Sequence, residues 1–167
     1  EQDLAMRKGV SSVLVPNVLD FEGPLPPADA YGQDLRQQIG ISSDDILILQ
    51  PTRVIPRKGI ERSIDLVAEI GDPRYKLVIS HEAGDEGMEY EGVLRRLARR
   101  EQVDVRFVST RVSDEREMGL NGEKLYPLWD VYRQADVVTF PSLYEGFGNA
   151  LLEAFYCRKP VVVNRYA

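Results

Sequence analysis

Histidine, cysteine and tryptophan occur once each in these 167 residues. A single cysteine, Cys157, forms no internal disulfide, and its place in an apolar helical run makes it a small core residue rather than a nucleophile. One unpaired thiol fits a reducing, cytoplasmic setting. The lone histidine, His81, precedes Glu82 and Asp85, but a zinc-binding helix needs a second histidine, and no Asp-x-Asp offers a carboxylate clamp. No metal site is expected, and the 80–87 loop reads as solvated and acidic. Positive charge is also short. Lys and Arg number 21 against 27 Asp and Glu, a net charge of −6, which excludes nucleic acid as the main partner because backbone phosphates select basic surfaces. Any phosphate site must be built locally. No apolar run is long enough to span a membrane, and no signal peptide is visible. The chain starts at Glu1 without a methionine and stops at Ala167 soon after a strand-like run, so it reads as a piece of a longer protein whose membrane association stays open.

What is present suits one packed domain. At 43% hydrophobic and 29% charged residues, a chain of this length buries roughly 70% of its unfolded surface. Val13-Leu14-Val15 before Pro16-Asn17 predicts a short strand entering a turn, and Asp20-Phe21-Glu22 a plain solvated turn. Pro24, Pro26 and Pro27 mark a linker over 21–29. A helix is expected over 30–39, closed by Gly40. The unbroken run at 46–50 predicts a strand buried on both faces. Ile60, Ile64, Val67 and Ile70 recur at helical spacing until Gly71 and Pro73. Then follow a strand at 76–80, a helix at 90–99 with Val93, Leu94, Leu97 and Ala98 inward, and a strand at 103–108. Leu128, Val131, Tyr132 and Ala135 mark another helix; 137–140, 151–156 and 161–163 continue as strand, helix, strand. Tyr126, Trp129 and Tyr132 suit core packing better than a sugar-stacking platform, and the charged run 111–124 reads as an exposed insertion. Five strands alternating with helices predict the α/β class, a Rossmann-like parallel sheet flanked by helices. Residues 1–28 are assigned to an interdomain segment and linker, and 29–167 to the sheet domain.

Such sheets bind ligands beyond the carboxyl ends of their strands. After the first long strand comes Pro51-Thr52-Arg53-Val54-Ile55-Pro56-Arg57-Lys58-Gly59, three cations in an acidic chain. Arginine offers a bidentate fork to phosphate, lysine a point charge. The residues 140–153 then combine a strand, a turn at Pro141, a Gly-x-Gly at 146 and 148, and a helical run ending in Glu153. Glycine lets backbone approach a ligand closely, and a helix N-terminus attracts anionic or oxygen-rich groups.

Pro141-Ser142-x-x-Glu145-Gly146-Phe147-Gly148, with Glu145 and Glu153 as Glu-x7-Glu, resembles the signature of retaining family-four-like glycosyltransferases of the GT-B fold (glycosyl transferases group 1). Arg53 and Lys58 match that family's Arg-x4-Lys-Gly, and Val-x-Pro-Asn-x-x-Asp at 13–20 is similar to its interdomain junction. The resemblance spans roughly residues 13–167. It implies the C-terminal, donor-binding half of a hexosyltransferase that takes a UDP-, GDP- or ADP-sugar and needs neither metal nor other cofactor. The acceptor would bind an N-terminal domain outside this stretch, so the fragment alone should not turn over. By the same resemblance Arg53 and Lys58 hold the diphosphate, with Arg57 evenly balanced between site and solvated turn. Glu145 faces the sugar, the N–H groups of Gly146, Phe147 and Gly148 line the same pocket, Glu153 accepts from the ribose, and backbone at Val108 and Ser109 reads the base. The chain departs from the family at 80–87, where a small Gly-x-Gly turn is usual. A glycosidase pair would stand about 5 to 9.5 Å apart, whereas eight helical residues rise about 12 Å, so hydrolysis is disfavoured. Glu145 as a helix cap and Glu153 on a solvated face remain as structural alternatives. A nucleotide-sugar epimerase and a non-catalytic nucleotide-sugar-binding module remain as functional ones.

Overall fold

The computed structural model describes residues 9, 13, 15, 17–23, 25, 28–84 and 88–165. Two short helices, α1 (Ala30–Gln33) and α2 (Leu35–Gln38), lead to β1 (Ile46–Gln50), α3 (Ile60–Ile70), β2 (Tyr75–Ile79), α4 (Met88–Arg100) and β3 (Asp104–Phe107). After β4 (Val112–Ser113), β5 (Glu117–Met118) and β6 (Lys124–Pro127) come α5 (Leu128–Gln134), β7 (Val137–Phe140), α6 (Asn149–Tyr156) and β8 (Val161–Val163). The main sheet runs β3-β2-β1-β7-β8 with every pairing parallel. This is the α/β architecture expected from the alternation of apolar runs.

Side-chain alternation along the central strands gives the sheet two buried faces. Leu47 and Leu49 point to one side, among Leu35, Val131, Tyr132, Val138, Ala154 and Cys157. Ile48, Leu77 and Ile79 point to the other, where Ile60, Ile64, Val67, Leu94 and Ala98 cover them. Tyr126 and Tyr132 are fully buried, and Trp129 stands edge-on to Tyr156 with ring centroids 5.7 Å apart, so these aromatics are core. Burial pushes the Cys157 thiol up to about 11, where it stays protonated at neutral pH.

Three expectations need correction. The helix over 30–39 is interrupted at Asp34, whose carboxylate accepts from Lys124 Nζ at 2.7 Å and the Tyr126 hydroxyl at 2.8 Å; a tertiary demand overrides helical propensity there. Val93 is 46% exposed, because Tyr90, Leu94, Leu97 and Ala98 set the inward stripe of α4 and Val93 lies at its margin. The charged run 111–124 is only partly an exposed insertion. Its tip, Leu120, is fully exposed, but its flanks form a second sheet of order β4-β6-β5 that carries Arg116 inward. Nearer the start, Leu14 and Pro16 lie outside the described residues, Val13 and Val15 have no strand structure, and Asp20 accepts from the N–H groups of Glu22 and Gly23 in the turn expected there.

Candidate functional site

The chain order along the sheet fixes where a ligand can enter. From β1 the chain moves outward through β2 to β3, then returns to the other side of β1 for β7 and β8. Loops leaving β1 and β7 therefore diverge at a switch point, and a crevice opens between them. A cavity of about 410 Å³ lies there, bordered by Pro51, Thr52, Arg53, Arg57 and Lys58 from the first loop and by Glu145, Phe147 and Gly148 from the second. Asn149, Ala150 and Glu153 of α6 form its far wall, joined by Asn17, His81, Leu128 and Phe140.

The β1 loop is shaped from beneath. Gln50, fully buried at the end of its strand, donates from Nε2 to the Lys58 carbonyl at 2.9 Å and accepts from Ser63 Oγ at 2.8 Å. Ser63 in turn meets Thr139 Oγ1 of β7 at 3.1 Å. This buried polar network pins a short 3-10 turn, Pro56–Lys58, and aims its cations outward. Gly59 follows in the left-handed region (φ 63°), with a Cβ position only 2.6 Å from the Pro141 carbonyl oxygen. No other residue fits between the two loops. The Arg57 carbonyl accepts from the Leu143 N–H at 2.8 Å and closes the junction.

Across that junction Glu145 receives a hydrogen bond from Lys58 Nζ and, at 3.3 Å, one from Arg57 Nη1. The Lys58 and Glu145 side chains are 11% and 15% exposed. Burial alone would raise the Glu145 pKa, but the Lys58 hydrogen bond, the Ser142 hydroxyl and the Lys58 and Arg57 charges outweigh it, and the carboxyl titrates below its usual value. Glu145 is thus an ionised acceptor at neutral pH, and not a helix cap; α6 begins at Gly148 (φ 90°) with no side-chain cap. Arg57, evenly balanced from sequence, belongs to the site. Arg53 is exposed at the rim, and among the described residues no carboxylate pairs with it.

Glu153 does not lie on a solvated face. One helical turn into α6, it accepts from the Tyr132 hydroxyl at 2.9 Å. Burial raises its pKa, and the Tyr132 hydrogen bond offsets part of the rise. Only Asn149 to Glu153 are helical, so the separation of the two glutamates is not that of eight helical residues. Phe147 and Gly148 line the cavity, whereas Gly146 lies outside it with open space around its Cβ position. Val108 and Ser109 lie outside it too. The Val108 N–H donates to the Ile79 carbonyl at 2.9 Å and its own carbonyl accepts from the Arg111 N–H at 2.8 Å, so both backbone groups of Val108 have partners within the fold. Among the described residues no group of three or more His, Cys, Asp or Glu side chains is placed to hold a metal ion.

Three lining residues escape the sequence argument, Leu128 among them, read only as a position in the helical run that forms α5. His81, read as part of a solvated loop, borders the cavity instead, because its loop leaves β2 beside that of β1 and is tied to it by the Val54 N–H donating to the Glu82 carbonyl at 3.2 Å. Asn17 reaches the rim by donating to Asn149 Oδ1 at 2.9 Å; its Pro-Asn signal marks a turn, not its destination. Gln50 is legible only afterwards, as one polar residue ending an apolar run.

Comparison with known proteins agrees with this geometry. Mannosylglucosylglycerate synthase of Petrotoga mobilis is 32% identical over 99% of this chain and 42% of its own length. The chain therefore spans about two fifths of that relative. Among solved structures, Anabaena HepE in complex with UDP and glucose superposes with TM-score 0.65 at 23% identity, over 82% of this chain and 34% of that one. The C-terminal domain of a glycosyl transferase group 1 family protein from Francisella tularensis gives TM-score 0.63 at 21% identity, over 87% of this chain and 70% of that one. The family model described as glycosyl transferases group 1 matches residues 33–167, and with the Rossmann-like sheet of a GT-B C-terminal half around its cavity, the chain belongs to that family.

Proposed function

We propose that this domain holds the nucleoside-diphosphate-sugar donor of a retaining hexosyltransferase, which passes the sugar to an acceptor hydroxyl without a metal ion. The acceptor would be presented by a further, N-terminal domain. The observation that carries this reading is the meeting of Lys58 and Arg57 with Glu145 at the mouth of a cavity whose other wall is a helix N-terminus and Glu153.

Each group then has a task. As the sugar leaves, negative charge grows on the distal phosphate; Arg53 and Lys58 stabilise it more in the transition state than in the ground state. Lys58 has three N–H donors, so it can serve a phosphoryl oxygen while keeping Glu145. Glu145, held ionised, accepts from sugar hydroxyls. The free N–H groups at the start of α6 suit phosphate oxygens. Glu153 has a second oxygen for a ribose hydroxyl, and backbone at Val108 and Ser109 meets the base. Mannosylglucosylglycerate synthase and the UDP- and glucose-bound Anabaena protein both concern sugars, which supports a sugar nucleotide over other phosphates.

Calorimetric titration of the chain with UDP, GDP and ADP in EDTA tests the reading. One nucleotide should bind without metal, and Arg53→Ala should weaken it about tenfold or more, the loss of one charge-assisted contact. In the full-length protein the same change should slow transfer by about a hundredfold. Absence of binding by both the chain and the full-length protein would overturn the proposal.

A further inference from the structure

The sheet brings one more ionisable group to the diphosphate loop. Gln50 and Ile79 are register partners at the ends of β1 and β2, so the chains leaving them start about 5 Å apart. One carries Arg53 and Lys58, the other Ser80 and His81. Ser80 is buried and its hydroxyl meets His81 Nδ1 at 2.9 Å. That nitrogen is occupied, and the ring borders the cavity, which leaves Nε2 as the atom available to a ligand. Resting on the donor-binding reading above, we propose that His81 is a further ligand of the donor diphosphate, its Nε2–H directed at the phosphoryl oxygens that Arg53 and Lys58 hold, and that it takes up a proton when the donor binds.

The electrostatics are consistent with this geometry. In the free protein burial lowers the His81 pKa first, and the positive charges of Lys58 and Arg53 lower it further. The ring is neutral at pH 7. The ionisable groups sharing the cavity are Arg53, Arg57, Lys58, Glu145 and Glu153; Glu145 is already neutralised by Lys58 and Arg57. A diphosphate adds negative charge beside the ring and reverses the balance, so the bound ring titrates higher. Below the free-state pKa both states are protonated and affinity is greatest; it declines as pH rises and is least above the bound-state pKa. Donor retention is thereby coupled to proton concentration.

The probes are UDP-glucose, GDP-mannose and ADP-glucose, whose diphosphate diesters do not ionise near neutrality. Titrating the 167-residue chain with whichever binds, from pH 5.5 to 8.5, should show affinity falling by roughly tenfold. Repeating the titration at pH 7 in two buffers of different ionisation enthalpy should show net proton uptake. His81→Gln keeps an N–H donor at the reach of Nε2 but cannot ionise, so the gain in affinity toward low pH and the proton uptake at pH 7 should both be absent. His81→Ala should bind more weakly than His81→Gln at every pH. A slope and an uptake retained in His81→Gln, with the same melting temperature as the parent chain, would overturn the inference while leaving donor binding intact. Failure of both the parent chain and the full-length protein to bind any probe at any pH would overturn both readings.

Discussion

Glu145 and Glu153 belong to one eight-residue spacing, yet their surroundings push their carboxyl groups in opposite directions. Around Glu145 two cations and the Ser142 hydroxyl win over burial, so its ionised form stabilises the fold above the ordinary carboxylate value near 4.5, and that contribution is lost as pH falls through the lowered folded value. Around Glu153 burial wins over a single hydroxyl. Its folded pKa lies above the unfolded one, so its charge costs stability at neutral pH, and the cost disappears on acidification. A buried charge kept at such a cost points to a ligand that shares it. Glu153→Gln keeps an oxygen for Tyr132 and removes the charge. At pH 7 this variant is expected to melt at the same or a higher temperature than the parent chain, while its nucleoside diphosphate affinity falls about tenfold, one charge-assisted hydrogen bond to ribose. Melting curves and calorimetry check both halves; a lower melting temperature with unchanged affinity would make Glu153 a structural residue.

At the level of elements, the site is a joint between two loops. Gly59 sits where a Cβ would need both a left-handed backbone and space held by the Pro141 carbonyl. Alanine there meets a conformational cost of about 1–2 kcal/mol and a clash of similar size. Gly59→Ala should therefore destabilise by about 3 kcal/mol, about 10 °C in melting temperature for a domain of this size. Gly146, the other loop's first glycine, has nothing within 4 Å of its Cβ position and no positive φ. Gly146→Ala should melt unchanged, because open space surrounds its Cβ position and its backbone is one that alanine also adopts. Equal melting temperatures for the two variants would refute this division of labour. The same contrast shows what sequence can reveal. The limits of α3 and β7 follow from periodicity, because those elements bury their own apolar residues. The cations and carboxylates of the motif were legible as residue types at fixed spacing. Val93 was not, since apolar character alone does not mark the edge of a helix stripe. Nor was His81, because the place of its loop is set by the neighbour of β2 in the sheet, a relation between residues far apart in sequence.

Across the whole molecule, the misread charged run binds distant segments together. Arg116 donates from Nε and Nη2 to the two carboxylate oxygens of Asp130 at 2.9 and 2.8 Å, and from Nη1 to Asp29 at 2.6 Å. Asp130 belongs to α5 and is 1% exposed, while Asp29 caps α1 through the Tyr31 N–H. The guanidinium also lies over the Tyr31 ring, whose hydroxyl donates to the carbonyls of Glu117 and Leu125 in the small sheet. One side chain thus joins the first helix, the second sheet and the helix before β7. Charges that meet only after folding look in sequence like a solvated run, which is why spacing could not separate Arg116 from its exposed neighbours. The bidentate pair with a buried carboxylate gives the network its energetic weight. Removing the cation leaves Asp130 without its counter-charge, a change that costs about 3 kcal/mol in comparable buried pairs. Arg116→Ala should lower the melting temperature by about 10 °C and leave donor affinity unchanged, since Arg116 does not border the cavity. Combining Arg116→Met with Asp130→Asn removes the stranded charge along with the pair and should recover much of the loss. If the double variant is as unstable as the single one, the cost arises from lost packing around Tyr31, and the small sheet is held by apolar contact rather than by its ion pair.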